Sequence, residues 1–331
     1  MTALLLRERG CVVHGAMMSV RGADGRGCGA EGDAEAAARL AAALDIPFSV
    51  FDCSGMYARE VLARFRDEYL AGRTPNPCVM CNPLVKFAAL PALAREAGLD
   101  FDRFATGHYA RIGERGGRPV LLRGVDPGKD QSYFLYRLNG EQLSRTLFPL
   151  GEMLKKDLRL EAERRGVPVF DKPDSQDFYA GDYAELLGVR DSEGDIVDED
   201  GRVLGRHRGY WHFTPGQRKG LGVAYREPLY VLRTDPAANR VVVGTRDRQM
   251  WTGCLVDQLA FSWRRPIAGE RFPGKLRSAQ PLKDMIVAEI RDDAMRVAFD
   301  QPIQGVAPGQ SLVLYDGDAV VGGGIIREAL R

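Results

Sequence analysis

The sequence predicts an α/β protein. A doubly wound, parallel-sheet domain opens the chain, and a small central domain and a C-terminal antiparallel β-barrel follow. Three observations carry this. Short apolar runs alternate with amphipathic helical stretches up to residue 109, the pattern of a parallel sheet with helices on both faces. From Pro228 onward, short strands alternate with turns instead, as in a small barrel. With 331 residues, 45% hydrophobic and 27% charged, the chain is long and apolar enough for two or three cores. The expected boundaries are 1–175, 176–226 and 227–331.

In order, residues 2–9 read as the last turns of a helix closed by Gly10, and Cys11–Met18 as a buried strand. A Gly-rich loop from Ser19 to Gly32 carries Cys28. A helix from Asp33 to about Leu44, a strand Ile46–Phe51 and a helix over 56–71 come next. The stretch Gly72-Arg73-Thr74-Pro75-Asn76-Pro77-Cys78-Val79-Met80-Cys81-Asn82-Pro83, with three prolines and a glycine, predicts a fixed loop. Phe87–Gly98 is expected to be helical with a kink at Pro91, and Phe104–Tyr109 to be a strand running into a loop. Lys155–Gly166 forms a charged helix, and Val167–Lys172 is extended. In the last third, Leu229–Thr234 and Arg240–Gly244 flank a turn as a hairpin, and 294–300 alternates as a half-buried strand.

Chemistry concentrates in the proline-braced loop. Two thiols at C-x-x-C spacing can meet one metal, one cluster iron, or each other. A structural zinc would need four ligands, and Cys11, Cys28, Cys53 and Cys254 are scattered singly. A persulfide-exchange pair and a three-cysteine iron–sulfur site using Cys28 or Cys53 both fit the spacing. In an α/β sheet, ligands gather beyond the carboxyl ends of strands, where Cys28, the C-x-x-C pair and Gly107-His108 fall. His108 suits a packed imidazole as well as a ligand contact, and Lys129-Asp130-Gln131 suits a solvated turn as well as a site. Arg202, Arg206, His207, Arg208, Arg218 and Lys219, interleaved with Tyr210, Trp211 and Phe213, fit either RNA binding or a charged linker.

A net charge of +1 does not by itself announce a nucleic-acid partner, so RNA binding would need a local basic face. The N-terminus has no signal-peptide pattern, and no apolar run is read as approaching the roughly 20 residues of a membrane helix. Thiols without a secretion signal place the chain in the cytoplasm, with no membrane partner expected.

Taken together, these pieces resemble the tRNA-specific 2-thiouridylases, the MnmA/TrmU family. The likeness is carried by the run 71–82, by Ala105-Thr106-Gly107-His108-Tyr109-Ala110, by Lys129-Asp130-Gln131-Ser132-Tyr133-Phe134-Leu135 and by Asp174-Ser175-Gln176. It continues through 205–209, 216–222, Thr234-Asp235-Pro236, Pro308-Gly309-Gln310-Ser311 and Gly322-Gly323-Gly324-Ile325-Ile326, covering essentially the whole chain. The resemblance implies a Rossmann-like adenine nucleotide alpha-hydrolase domain at the N-terminus. It also implies Mg-dependent use of ATP to adenylate the C2 oxygen of the wobble uridine of tRNA, followed by sulfur transfer to C2. By motif, Cys81 is the nucleophile, and Asn76, Pro77 and Cys78 hold the target base. Met18 and Gly107 contact ATP; His108, Lys129, Asp130, Gln131, Arg277, Ser278 and Gln310 contact tRNA. A cysteine desulfurase or sulfur relay carrier is the implied sulfur donor.

Two departures shape the expectations. The family's S-G-G-x-D-S-S pyrophosphate loop has no counterpart here, because Met1–Leu6 matches the helix just after it. The expectation is a chain truncated by a start codon placed too late and unable to adenylate RNA. A catalytically dead RNA- or metal-binding remnant is the alternative, and the genomic sequence upstream separates the two. Second, Tyr179 stands where the family carries a second cysteine, and Cys78 stands where it carries an aspartate. The expectation is that Cys28, Cys78 and Cys81 bind a [4Fe–4S] cluster, or that Cys78 resolves a persulfide on Cys81 through a transient disulfide.

Overall fold

The computed structural model describes residues 1–21, 32–167 and 183–331. Cys28, Asp174-Ser175-Gln176 and Tyr179 lie outside the described residues. The N-terminal domain has two parallel strand pairs. Strands β1 (Gly15–Ser19) and β2 (Phe48–Asp52) form one pair, and β3 (Phe104–Ala105) pairs with a strand at Thr146–Leu147 in the other. Helices Thr2–Glu8, Asp33–Ala43 and Lys155–Arg164 stand close to the expected positions.

The proline-rich stretch departs from expectation. Only 72–76 is loop, and Pro77–Cys81 begins a helix that runs to Glu96, so both thiols are helical. Proline is harmless at the first helical position, where its missing N–H would be unpaired anyway. Pro83 is accommodated because the helix widens to i→i+5 turns over Asn82–Ala89. The carbonyl of Pro83 also accepts from Gln142 Nε2 at 2.7 Å. This helix also revises the reading of apolar runs: by length and composition it could cross a membrane. Its apolarity has a local cause, since Val79, Cys81, Val85, Phe87, Leu90 and Ala94 are buried in the protein.

A hairpin of β4 (Ala110–Arg115) and β5 (Arg118–Arg123) leaves the first domain, and the strand at Thr146–Leu147 is β6. The middle domain is a four-stranded sheet: β7 (Gly194–Val197), β8 (Val203–His207), β9 (Tyr230–Asp235) and β10 (Arg240–Gly244). Its order is β8-β7-β10-β9. The expected hairpin β9–β10 exists, but β10 pairs in parallel with β7. The boundary drawn at 226/227 therefore cuts through one sheet and belongs between Gly244 and Met250. Turn spacing located the strands, but only the long-range pairing assigns them to a domain.

The last domain is a closed antiparallel barrel of six strands. They are β11 (Met250–Phe261), β12 (Arg271–Lys275), β13 (Lys283–Arg291), β14 (Ala294–Gln304), β15 (Ser311–Asp316) and β16 (Ala319–Leu330), with β16 returning to pair β11. The pairing of Ala319 with Leu122 adds the β4–β5 hairpin to the barrel edge. Val79, Phe87, Tyr133 and Tyr136 of the first domain share one buried cluster with Val313, Tyr315 and Val320 of the barrel. A common core makes the barrel a fixed neighbour of the thiol helix rather than a tethered module.

Candidate thiol site

Asn76 caps the thiol helix. Its Oδ1 accepts from the Cys78 amide at 3.2 Å, satisfying one of the N–H groups that a helix start leaves open. Cys78 is exposed and Cys81, one turn on, is buried; neither is in a disulfide. Cys81 sits in the same apolar cluster as Val20, Phe51, Cys53, Tyr57 and Val61, with Met18 of β1 packed against it. Burial, and then the neighbouring Asp52 carboxylate, push the Cys53 thiol up, so it stays protonated.

All three domains hold the loop ahead of the cysteines. Leu70 O accepts from Tyr210 OH at 2.7 Å, and Gly72 O from Thr234 Oγ1 at 2.9 Å, both donors from the middle domain. Gly72 has φ +74, and a Cβ there would lie 2.8 Å from the Pro236 ring, so this contact requires glycine. From the barrel, Pro308 O accepts from Thr74 N and Gln310 Nε2 donates to Thr74 O, both at 2.8 Å. Between them Gly309, at φ +92, lies flat against Thr74 and Pro75. Arg73 closes the loop on its own domain with a two-pronged contact to Glu68 at 2.5 and 2.6 Å. The Thr234-Asp235-Pro236 and Pro308-Gly309-Gln310 motifs thus meet at one place, a role no spacing rule reveals.

Beside Asn76 and Pro77 lies a cavity of about 30 Å³, room for roughly one water. Arg64, Met80, Gln258 and Gly309 are among the residues of its wall. A second, open cavity of about 330 Å³ is lined by Gly107, Tyr109, Lys129, Gln131 and Lys155. The structure therefore brings Gly107, Lys129 and Gln131 together, beyond the carboxyl end of β3, and adds Lys155, which the sequence reading missed. Gln131 Oε1 accepts from Tyr109 N at 2.8 Å, which orients it there.

His108 follows Gly107. Its Nδ1 shares a hydrogen bond of 2.8 Å with Thr106 Oγ1, and Phe87 and Phe148 lie 5.9 and 6.0 Å from its ring centre. Burial first, and the nearby Lys86 ammonium second, push its pKa down to about 3, so the imidazole is neutral.

The carboxylate of Asp130 has no exposed surface. Oδ1 accepts from Gly124 N and Ser132 N, and Oδ2 faces Lys275 at 3.4 Å and Arg123 at 3.5 Å. In this arrangement it joins the hairpin to the barrel and offers nothing to a ligand. Arg277 donates to Pro215 O at 3.0 Å and packs between Gly216 and Gly305, with Ser278 next to it on the bend after β12. Neither lines the cavity beside Asn76 nor the one beside Gly107.

The basic, aromatic-rich stretch resolves toward structure in its rings. Tyr210 is buried, and Trp211 and Phe213, half-buried, pack onto the middle-domain core. Arg206 pairs with Asp195 and Glu193, and Arg208 with Asp191. Arg202, Arg218 and Lys219 stay exposed.

Fold and site define a class: an α/β domain carrying a two-thiol helix start, clasped by two small β domains. Comparison with known proteins agrees. Residues 1–179 match the tRNA methyl transferase HUP domain family, 185–245 the tRNA methyl transferase PRC-barrel domain, and 251–326 the aminomethyltransferase beta-barrel domain. A tRNA-specific 2-thiouridylase MnmA of Endomicrobium trichonymphae is 43% identical over 88% of this chain and 82% of its own length. MnmA of Synechococcus sp. (strain WH7803) is 43% identical over 99% of this chain and 89% of its own. MnmA of Microcystis aeruginosa is 42% identical over 91% and 88%. The chain belongs to the MnmA family of tRNA-specific 2-thiouridylases.

Proposed function

We propose that this chain is a tRNA sulfurtransferase that converts the wobble uridine of tRNA to 2-thiouridine at the expense of ATP. The observation that carries the reading is the pair Cys78 and Cys81, one exposed and one buried, on a helix start that three domains clamp. ATP, with Mg²⁺, transfers its adenylyl group to the C2 oxygen with loss of pyrophosphate. The outer sulfur of a persulfide on Cys81 attacks C2, and AMP leaves with the former C2 oxygen. Cys78 thiolate then attacks Cys81 Sγ, breaking the sulfur–sulfur bond and releasing 2-thiouridine. A cellular dithiol reduces the resulting Cys78–Cys81 disulfide, and a sulfur-donor protein reloads the persulfide.

Side chains three apart on a helix have Cβ atoms about 5–6 Å apart, whereas a disulfide needs about 3.8 Å. Closing it therefore requires the first helical turn to tighten, which a first turn, with no helical turn before it, permits more readily than the middle of a helix. Gly107 and Met18 are the proposed ATP contacts; Lys129 and Gln131 the tRNA contacts on the cavity wall. A cytoplasmic setting, which keeps thiols reduced, is part of the proposal.

A [4Fe–4S] cluster needs at least three thiolates. Among the described residues no group of three metal-ligating side chains comes together, so Cys78 and Cys81 would require Cys28 as the third. The persulfide is the chemistry that the described thiols support. The test is nucleoside mass spectrometry of tRNA after incubation with ATP, Mg²⁺, a dithiol, and cysteine with a cysteine desulfurase to supply persulfide sulfur, beside iron analysis of anaerobically purified protein. Wild type should form 2-thiouridine without iron, which would overturn the expectation drawn from the missing S-G-G-x-D-S-S sequence, and Cys81→Ser should form none. Stoichiometric iron and sulfide lost in Cys28→Ser would replace the persulfide with the cluster. Binding of tRNA with no thiolation would favour the remnant.

A further inference from the structure

Strand β11 carries one residue whose backbone is out of place. Gln258 has φ +50, a left-handed conformation that non-glycine residues seldom adopt, and the pairing of β11 with β16 slips between Asp257 and Ala260. Two contacts hold the bulge: Arg137 Nη1 donates to Gln258 O at 2.8 Å, and Leu259 N donates to Asp293 Oδ1 at 2.6 Å. Backbone strain of this kind persists where surroundings over-determine it, and it clusters at functional sites. Here it aims the Gln258 side chain across to the first domain, into the wall of the cavity beside Asn76, Pro77 and Met80.

Gln258 Oε1 accepts from Arg64 Nη1 at 3.1 Å. A guanidinium has donors only, so this bond fixes which way the carboxamide faces. The oxygen is committed to Arg64, and the Nε2 amine is left for the cavity. We propose that Gln258, oriented by Arg64, is a specificity-determining residue that donates to the 4-keto oxygen of the target uracil. A cytosine in the same place would present its 4-amino donor to another donor and be rejected. This deepens the function proposed above and rests on it.

The cavity is too small for a pyrimidine as it stands, so the base enters by displacing flexible wall groups. Met80, unbranched, can yield. Arg137 and Asp293 meanwhile keep the Gln258 backbone fixed.

Fluorescence anisotropy with anticodon stem-loops differing only in uridine or cytidine at the target position tests this without requiring turnover. Wild type should bind the uridine form about tenfold or more tightly, the usual worth of a well-placed hydrogen bond in discrimination. Gln258→Glu keeps the bond to Arg64 but turns the donor into an acceptor, and should erase the preference. Arg64→Ala leaves the bulge intact and lets the amide rotate, so its uridine-to-cytidine ratio should fall to within about threefold. Circular dichroism confirms that each variant is folded. If wild type discriminates and both folded variants discriminate equally well, this inference is overturned while the function stands. Failure of wild type to bind either stem-loop overturns the function and this inference with it.

Discussion

Replacing Gly309 by alanine should loosen the thiol loop from a site in another domain. The new Cβ would lie 2.7 Å from Thr74 N, 2.8 Å from Thr74 C and 3.0 Å from Pro75 N, all backbone atoms that cannot rotate away. Ordinary contact begins near 3.4 Å, so the loop must retreat by roughly 0.7 Å. That shift would stretch the two 2.8 Å hydrogen bonds at Thr74 to the edge of hydrogen-bonding range. At φ +92 the alanine backbone is itself strained. Lost hydrogen bonds, backbone strain and crowding together should cost about 3 kcal/mol. The assay is hydrogen exchange at the Thr74 amide, with alkylation rates of Cys78 and Cys81 measured alongside. The expected result is loss of Thr74 protection and faster alkylation of the buried Cys81. A folded variant with unchanged Thr74 exchange and unchanged alkylation would refute the clamp.

Asp130→Asn should destabilise the protein by about 3 kcal/mol in urea denaturation, because it strands Lys275 and Arg123 without their buried counter-charge. Glu141→Gln, which breaks an exposed ion pair with Arg145, should change stability by less than about 0.5 kcal/mol under the same conditions. His108 links stability to pH. Its folded pKa is about 3 against an ordinary 6.5, so the unfolded chain binds the proton first. The contribution is therefore complete above about pH 6.5 and is lost as pH falls from there toward 3, the loss reaching about 2 kcal/mol at pH 5. His108→Gln should flatten the stability profile in that window; an unchanged slope would place the imidazole in water.

Much of the molecule was legible in the linear pattern. Alternation of apolar runs and helices announced the parallel α/β domain, because a strand buried on both faces and a one-sided helix have different periods. The thiol pair could be found from cysteine spacing alone. The helical start at Pro77 is not legible there, since proline count signals a break but not whether it falls before or within the first turn. A one-dimensional reading also placed Asp130 among ligand contacts, whereas two cations that enclose it come from residues 123 and 275, far apart in the chain.

The chain by itself determined where thiols stand at a spacing that can carry chemistry, Cys78 and Cys81, and which local conformations are allowed. Those depend on side-chain type and near neighbours. Tertiary structure alone decided that the middle domain and the barrel grip the thiol loop, that β10 completes the middle sheet, and that a strained Gln258 faces Asn76. The physical reason is common to all three: each is a contact between segments far apart in sequence, fixed by the shared packing of domains rather than by any local preference.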